Sequence, residues 1–75
     1  ARMRAVAEQE TNLARQRHVV GISQSSLATK SGVSLRSIQM YEQRNKDINK
    51  ASVETVYRLA RTLHCSIETL LEPLQ

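Results

Sequence analysis

Tryptophan and phenylalanine are absent from this 75-residue chain, and Tyr41 and Tyr57 are its only aromatic side chains. A core built from it must be aliphatic, and the two tyrosines are not arranged as the stacking platform that single-stranded RNA favours. A single cysteine, Cys65, cannot close an intrachain disulfide and points to a reducing compartment. It reads as a small buried hydrophobe, with no histidine or acid placed to activate it. No apolar run approaches the ~20 residues of a membrane span, and no signal-peptide core is present. Beta-branched residues do not alternate with polar ones, and no hairpin dipeptide such as Asn-Gly occurs, so strands are not expected. His18 and His64 lie far apart without Cys or Asp at ligand spacing, so no metal or cofactor is expected. Phosphate-binding loops and paired carboxylates are also missing. No residue is assigned a catalytic role, and enzyme activity is not expected.

What remains is an all-helical domain. At this length the core is marginal, so nearly every apolar residue is needed inside it. The charge is unevenly placed. Of the formal net charge of +4, residues 1–50 carry +5 and residues 51–75 carry −1. A basic front and a near-neutral back form an electrostatic footprint for a polyanion.

Taken in order, residues 1–20 show Met3, Val6, Leu13 and Val20 at spacings of three and seven, the stripe of one helix stopped by Gly21. Thr11-Asn12 offers an alternative start, which leaves residues 1–10 as an extension. Residues 44–50 are polar apart from Ile48 and read as a loop, with Asn49 or Ser52 capping the next helix. Val53, Val56, Leu59, Ala60 and Leu63 then make a strong helical stripe. After His64-Cys65, Ser66 caps a last short helix whose inner face is Ile67, Leu70 and Leu71. Residues 73–75 form a C-terminal tail. Five helices result.

Residues 23–43 organise the rest. Two short apolar sets, Leu27-Ala28 and Ile38–Tyr41, flank Gly32-Val33-Ser34, and helices this short are stable only when packed. Gly32 supplies a left-handed turn, while Ser23 and Ser34 are good N-caps. Ala28 is small enough to let the second helix cross close by, and Val33 and Ile38 fill the angle. These are the marks of two helices meeting at roughly 90–120° in a helix-turn-helix.

With Ile38 at the centre of the buried face, a 100° step per residue turns Arg36, Met40 and Gln43 outward and puts Gln39 on the flank. Leu35 projects from the helix start. Each suits a major groove: Arg36 can fork onto guanine, Gln39 can pair with adenine, and Leu35 or Met40 can pack on a thymine methyl. Gln24 opens a helix whose positive end suits a phosphate. Ser23, Ser34, Ser37, Gln43, Arg44, Asn45, Lys46, Asn49 and Lys50 are candidate backbone contacts, which set register and affinity without reading sequence. Glu42 turns inward and needs a cation, for which Arg17 is placed.

Leu13, Arg17, Gly21-Ile22-Ser23-Gln24, Leu27-Ala28, Gly32-Val33-Ser34, Ile38, Glu42 and residues 59–71 together resemble the XRE family of Cro-like and lambda-repressor-like DNA-binding domains. The likeness covers residues 11–72. It departs from the family at Gln16 for leucine, Ala51 for proline, and His64 for the glycine before the last helix. It implies a compact five-helix domain reading bases from Leu35, Arg36 and Met40, with a partly buried Arg17–Glu42 ion pair and a Gln24 that binds backbone while bracing the third helix. It further implies a cytoplasmic, nucleoid-associated transcriptional regulator of bacterial or phage origin. The partners expected are double-stranded DNA and a second copy on a two-fold operator. A protein-interaction module, such as an antitoxin or regulatory subunit, is the competing expectation, drawn from the Met3–Val6 extension.

Overall fold

The computed structural model describes residues 10–73, which form five α-helices and one 3-10 turn. The helices are α1 (Asn12–Val20), α2 (Gln24–Ser31), α3 (Leu35–Glu42), α4 (Val53–Thr62) and α5 (Ile67–Leu70), with the 3-10 turn at Ile48–Lys50. No strand occurs among the described residues.

Every one of these α-helices starts on a hydroxyl cap. The side chains of Thr11, Ser23, Ser34, Ser52 and Ser66 accept from the backbone N–H three residues on, at 3.0–3.2 Å. Each satisfies one donor that the first helical turn leaves open. Thr11 thus begins α1, the shorter of the two alternatives, and Met3 and Val6 lie outside the described residues. Ser52, not Asn49, caps α4, while Asp47 caps the 3-10 turn.

The helix ends follow a second rule. Gly21 and Gly32 close α1 and α2 at φ 85° and 78°, where a Cβ would be strained. Helices α3 and α4 end in the same left-handed turn without glycine, at Arg44 (φ 62°) and His64 (φ 58°). In α3, the Arg44 N–H bonds to the Tyr41 carbonyl at 3.1 Å and the Asn45 N–H to the Met40 carbonyl at 2.8 Å. In α4, His64 and Cys65 repeat this pattern onto Arg61 and Ala60 at 3.2 and 3.0 Å. Both are Schellman motifs, in which two backbone bonds offset the cost of a side chain at positive φ. His64 thus ends α4 in a left-handed conformation that glycine adopts at lower cost.

The core is aliphatic, as the missing aromatics require. Leu13, Leu27, Ile38, Val56, Leu59 and Leu70 are its largest fully buried side chains, joined by Val33, Ile48, Ala60 and Leu63. Each leucine, isoleucine and valine among them contributes roughly 1.5–3 kcal/mol relative to an exposed position. Tyr41, Ala28, Ile67 and Leu71 pack against its edge.

Two expected stripe members are outside. Val20 is 40% exposed and Val53 is 74% exposed. Val53 is the first residue of α4, where the side chain projects past the packed body, and Val20 belongs to the last turn of α1. The first turn of α1 carries its buried residues, Leu13 and Ala14. Cys65 is partly buried against the core, and burial pushes its thiol above its ordinary pKa, so it stays protonated at neutral pH.

Candidate nucleic-acid interface

Helix α3 is held from behind by a polar clamp. Glu42, its last residue, accepts from Arg17 of α1 through Nε at 2.7 Å and Nη2 at 2.9 Å, a bidentate fork. Gln24 of α2 donates its Nε2 to the same carboxylate at 2.9 Å. Arg17 also donates Nη1 to the Ile22 carbonyl at 3.1 Å, in the turn between α1 and α2. The two charged side chains are only 12% and 8% accessible, so each would be costly alone. The Arg17 pKa is raised above its ordinary value, first by the Glu42 hydrogen bond, against the opposing effect of burial. One carboxylate thus ties α1, α2 and α3 together. His18 faces a different acid, its Nδ1 meeting the Glu10 carboxylate.

With Ile38 sealed in the core and Glu42 clamped, the opposite side of α3 is turned to solvent. Leu35 and Arg36 are exposed, and Gln39 and Met40 are half-buried on the same surface. Leu35 is 36% exposed at the start of this face. Neither α2 nor α3 carries an acidic residue in its first turn, whereas α4 and α5 carry Glu54 and Glu68 there. The first turns of α2 and α3 thus supply no carboxylate of their own to their positive ends, although the Glu42 carboxylate lies against Gln24 at the start of α2.

The candidate backbone contacts divide by what they already hold. Ser23 and Ser34 use their oxygens as caps, and Ser34 also donates to the Ser37 hydroxyl at 3.0 Å. Gln24 spends one amide hydrogen on Glu42 and keeps its oxygen. After α3, Asn45 donates to the Gln43 side chain at 3.1 Å, and the Lys46 ammonium sits 5.9 Å from the Tyr41 ring centroid. Lys46 and Lys50 are exposed. Asn49 is turned the other way. Its amide donates to the Glu72 carbonyl and accepts from the Glu72 N–H, both at 2.8 Å, so it anchors the C-terminal segment.

Glu72 has no signal in the sequence pattern. Its carboxylate accepts from the Asn12 backbone N–H at 2.7 Å and faces Arg44 Nη2 at 3.5 Å. Glu72 is the last residue of the expected domain, and only the fold brings it to the start of α1.

A short helix crossing another through a glycine turn, with a braced second helix and an outward face, defines a helix-turn-helix DNA-binding domain. A helix-turn-helix family model matches residues 14–70, and the chain belongs to this family, the XRE-type domains with the lambda-repressor-like fold. No curated protein and no solved structure gives a significant match to the chain. No described helix is long and apolar enough to cross a membrane.

Proposed function

We propose that this domain reads a specific double-stranded DNA sequence with α3 in the major groove and represses transcription as a homodimer on a two-fold operator. The observation that carries this reading is the division of α3 into two faces. Ile38 and Glu42 are fixed to the body of the domain, while Leu35, Arg36, Gln39 and Met40 are left on the outer side. Arg36 in the first turn suits a bidentate contact to guanine, Gln39 suits adenine, and Leu35 and Met40 suit thymine methyls. The positive end of α3, with Gln24, Ser37, Arg44, Lys46 and Lys50, supplies the grip on phosphates. A homodimer would present two such helices about 34–36 Å apart. A cytoplasmic location follows from this role.

Fluorescence anisotropy with duplex DNA tests the reading. Arg36→Ala should lower the preference for the bound sequence by about 1–3 kcal/mol and leave non-specific affinity nearly unchanged. Wild-type discrimination retained by Arg36→Ala removes Arg36 from the readout.

A second reading, a protein-interaction module such as an antitoxin or regulatory subunit, draws support from α4. Val53 and Tyr57, one turn apart on its outer side, are 74% and 49% exposed. Paired apolar side chains in such a position suit a protein partner. Tight binding of duplex DNA by the isolated chain, with no gain from a partner, counts against it.

A further inference from the structure

We infer that Glu72 is a positioning residue for DNA binding: from the C-terminal segment it sets the loop after α3 that would hold the phosphates. The inference rests on the DNA-binding reading above.

Residues 71–72 are clasped between two asparagines. On one side Asn12 donates its Nδ2 to the Leu71 carbonyl at 2.6 Å. On the other, Asn49 pairs with the Glu72 backbone in both directions at 2.8 Å, as one strand residue would pair with another. The Glu72 side chain fixes the segment along the same line. One carboxylate oxygen takes the Asn12 N–H at the positive start of α1, and the other faces Arg44. Arg44 begins the loop and Asn49 lies in the 3-10 turn near its end, so both ends are tied to one residue.

The loop has local ties of its own: the Arg44, Asn45 and Lys46 N–H groups bond back to α3, and Asp47 caps the 3-10 turn. Ile48 is its single buried side chain, and the turn closes on two backbone bonds, Lys50 N–H to the Asp47 carbonyl and Ala51 N–H to the Ile48 carbonyl. The Arg44–Glu72 contact by itself is weak, being 3.5 Å long with Arg44 38% exposed. Its value is directional: it holds the guanidinium at the loop's start, where a phosphate can take over. Without the Glu72 carboxylate, the C-terminal segment loses its tie to the start of α1 and the Arg44 guanidinium loses this contact, so DNA must supply that part of the loop's order at binding.

The experiment uses the whole chain with Glu72→Ala, Glu72→Gln and Asn12→Ala. Duplex affinity is measured from about 50 to 200 mM salt, beside amide hydrogen exchange of residues 49–51. Loss of one ordered phosphate contact lowers affinity roughly eightfold at about 0.1 M salt and flattens the log–log salt slope by about 0.9. Glu72→Ala and Asn12→Ala should both move this way, although neither residue would touch DNA, and residues 49–51 should exchange roughly tenfold faster. A merely structural role would lower the melting temperature and leave the affinity and slope of the folded protein unchanged, which overturns the inference. Glu72→Gln keeps an acceptor for the Asn12 N–H and decides the matter if Glu72→Ala does not fold. A wild-type chain that binds no duplex refutes the DNA reading instead, and unchanged exchange in the variants still refutes the ordering of the loop by Glu72.

Discussion

Removing the Arg17 guanidinium should cost this domain a large share of its stability. Arg17→Ala breaks the fork to Glu42 at 2.7 and 2.9 Å and strips the Ile22 carbonyl of its 3.1 Å donor. It leaves a carboxylate that is 8% accessible with Gln24 as its remaining donor. Breaking one side of a pair buried to this degree costs about 3 kcal/mol. A domain of this size has roughly 4–11 kcal/mol in all. With an unfolding entropy of about 0.16 kcal/mol/K for the whole chain, the melting temperature should fall by about 19 °C. Circular dichroism melts of the variant and wild type measure this directly. Arg17→Lys keeps the charge but not the planar fork, so roughly half the loss should remain. The double variant Arg17→Met with Glu42→Leu should be less damaging than Arg17→Ala, because no buried charge is left unpaired. A fall below about 5 °C for Arg17→Ala would falsify the view that this clamp holds α3.

Two further predictions concern the left-handed turns. His64→Gly removes the strain of φ 58° while keeping both backbone bonds, and should raise stability by up to about 1 kcal/mol in a urea melt. An equal loss would mean that the imidazole makes a contact worth more than the strain. Gly21→Ala and Gly32→Ala should each cost about 1–2 kcal/mol, because both glycines sit at positive φ. Space does not separate them strongly, since a Cβ at Gly21 meets nothing within 4 Å and one at Gly32 meets only the flexible tip of Arg58 at 3.0 Å. A neutral Gly32→Ala would show that the turn can relax.

The helix-turn-helix was legible because its signals are local. A hydroxyl three residues before a helical N–H, a glycine one turn after Ala28, and apolar residues at helical spacing each act over fewer than five positions. Those rules place α2 and α3 at Gln24–Ser31 and Leu35–Glu42. Val20 and Val53 were misplaced for the same reason. Periodicity says which side of a helix is apolar, not how far along it the packed body extends. The role of Asn49 and the clasp around Glu72 were out of reach, because their partners lie 23 and 60 positions away along the chain. No periodic pattern marks a backbone–amide bond over such a span. His64 is an intermediate case: its positive φ agrees with the glycine of the resembling family, but only the geometry shows the paired backbone bonds that hold it there.

Selection of bound fragments from random duplex DNA tests the central claim most directly. If α3 reads bases as a symmetric pair, the enriched fragments should share two inverted half-sites about one helical turn apart, and Arg36→Ala should erase the preference at one position of each half-site. Enrichment of no common sequence by the wild-type chain would contradict the account.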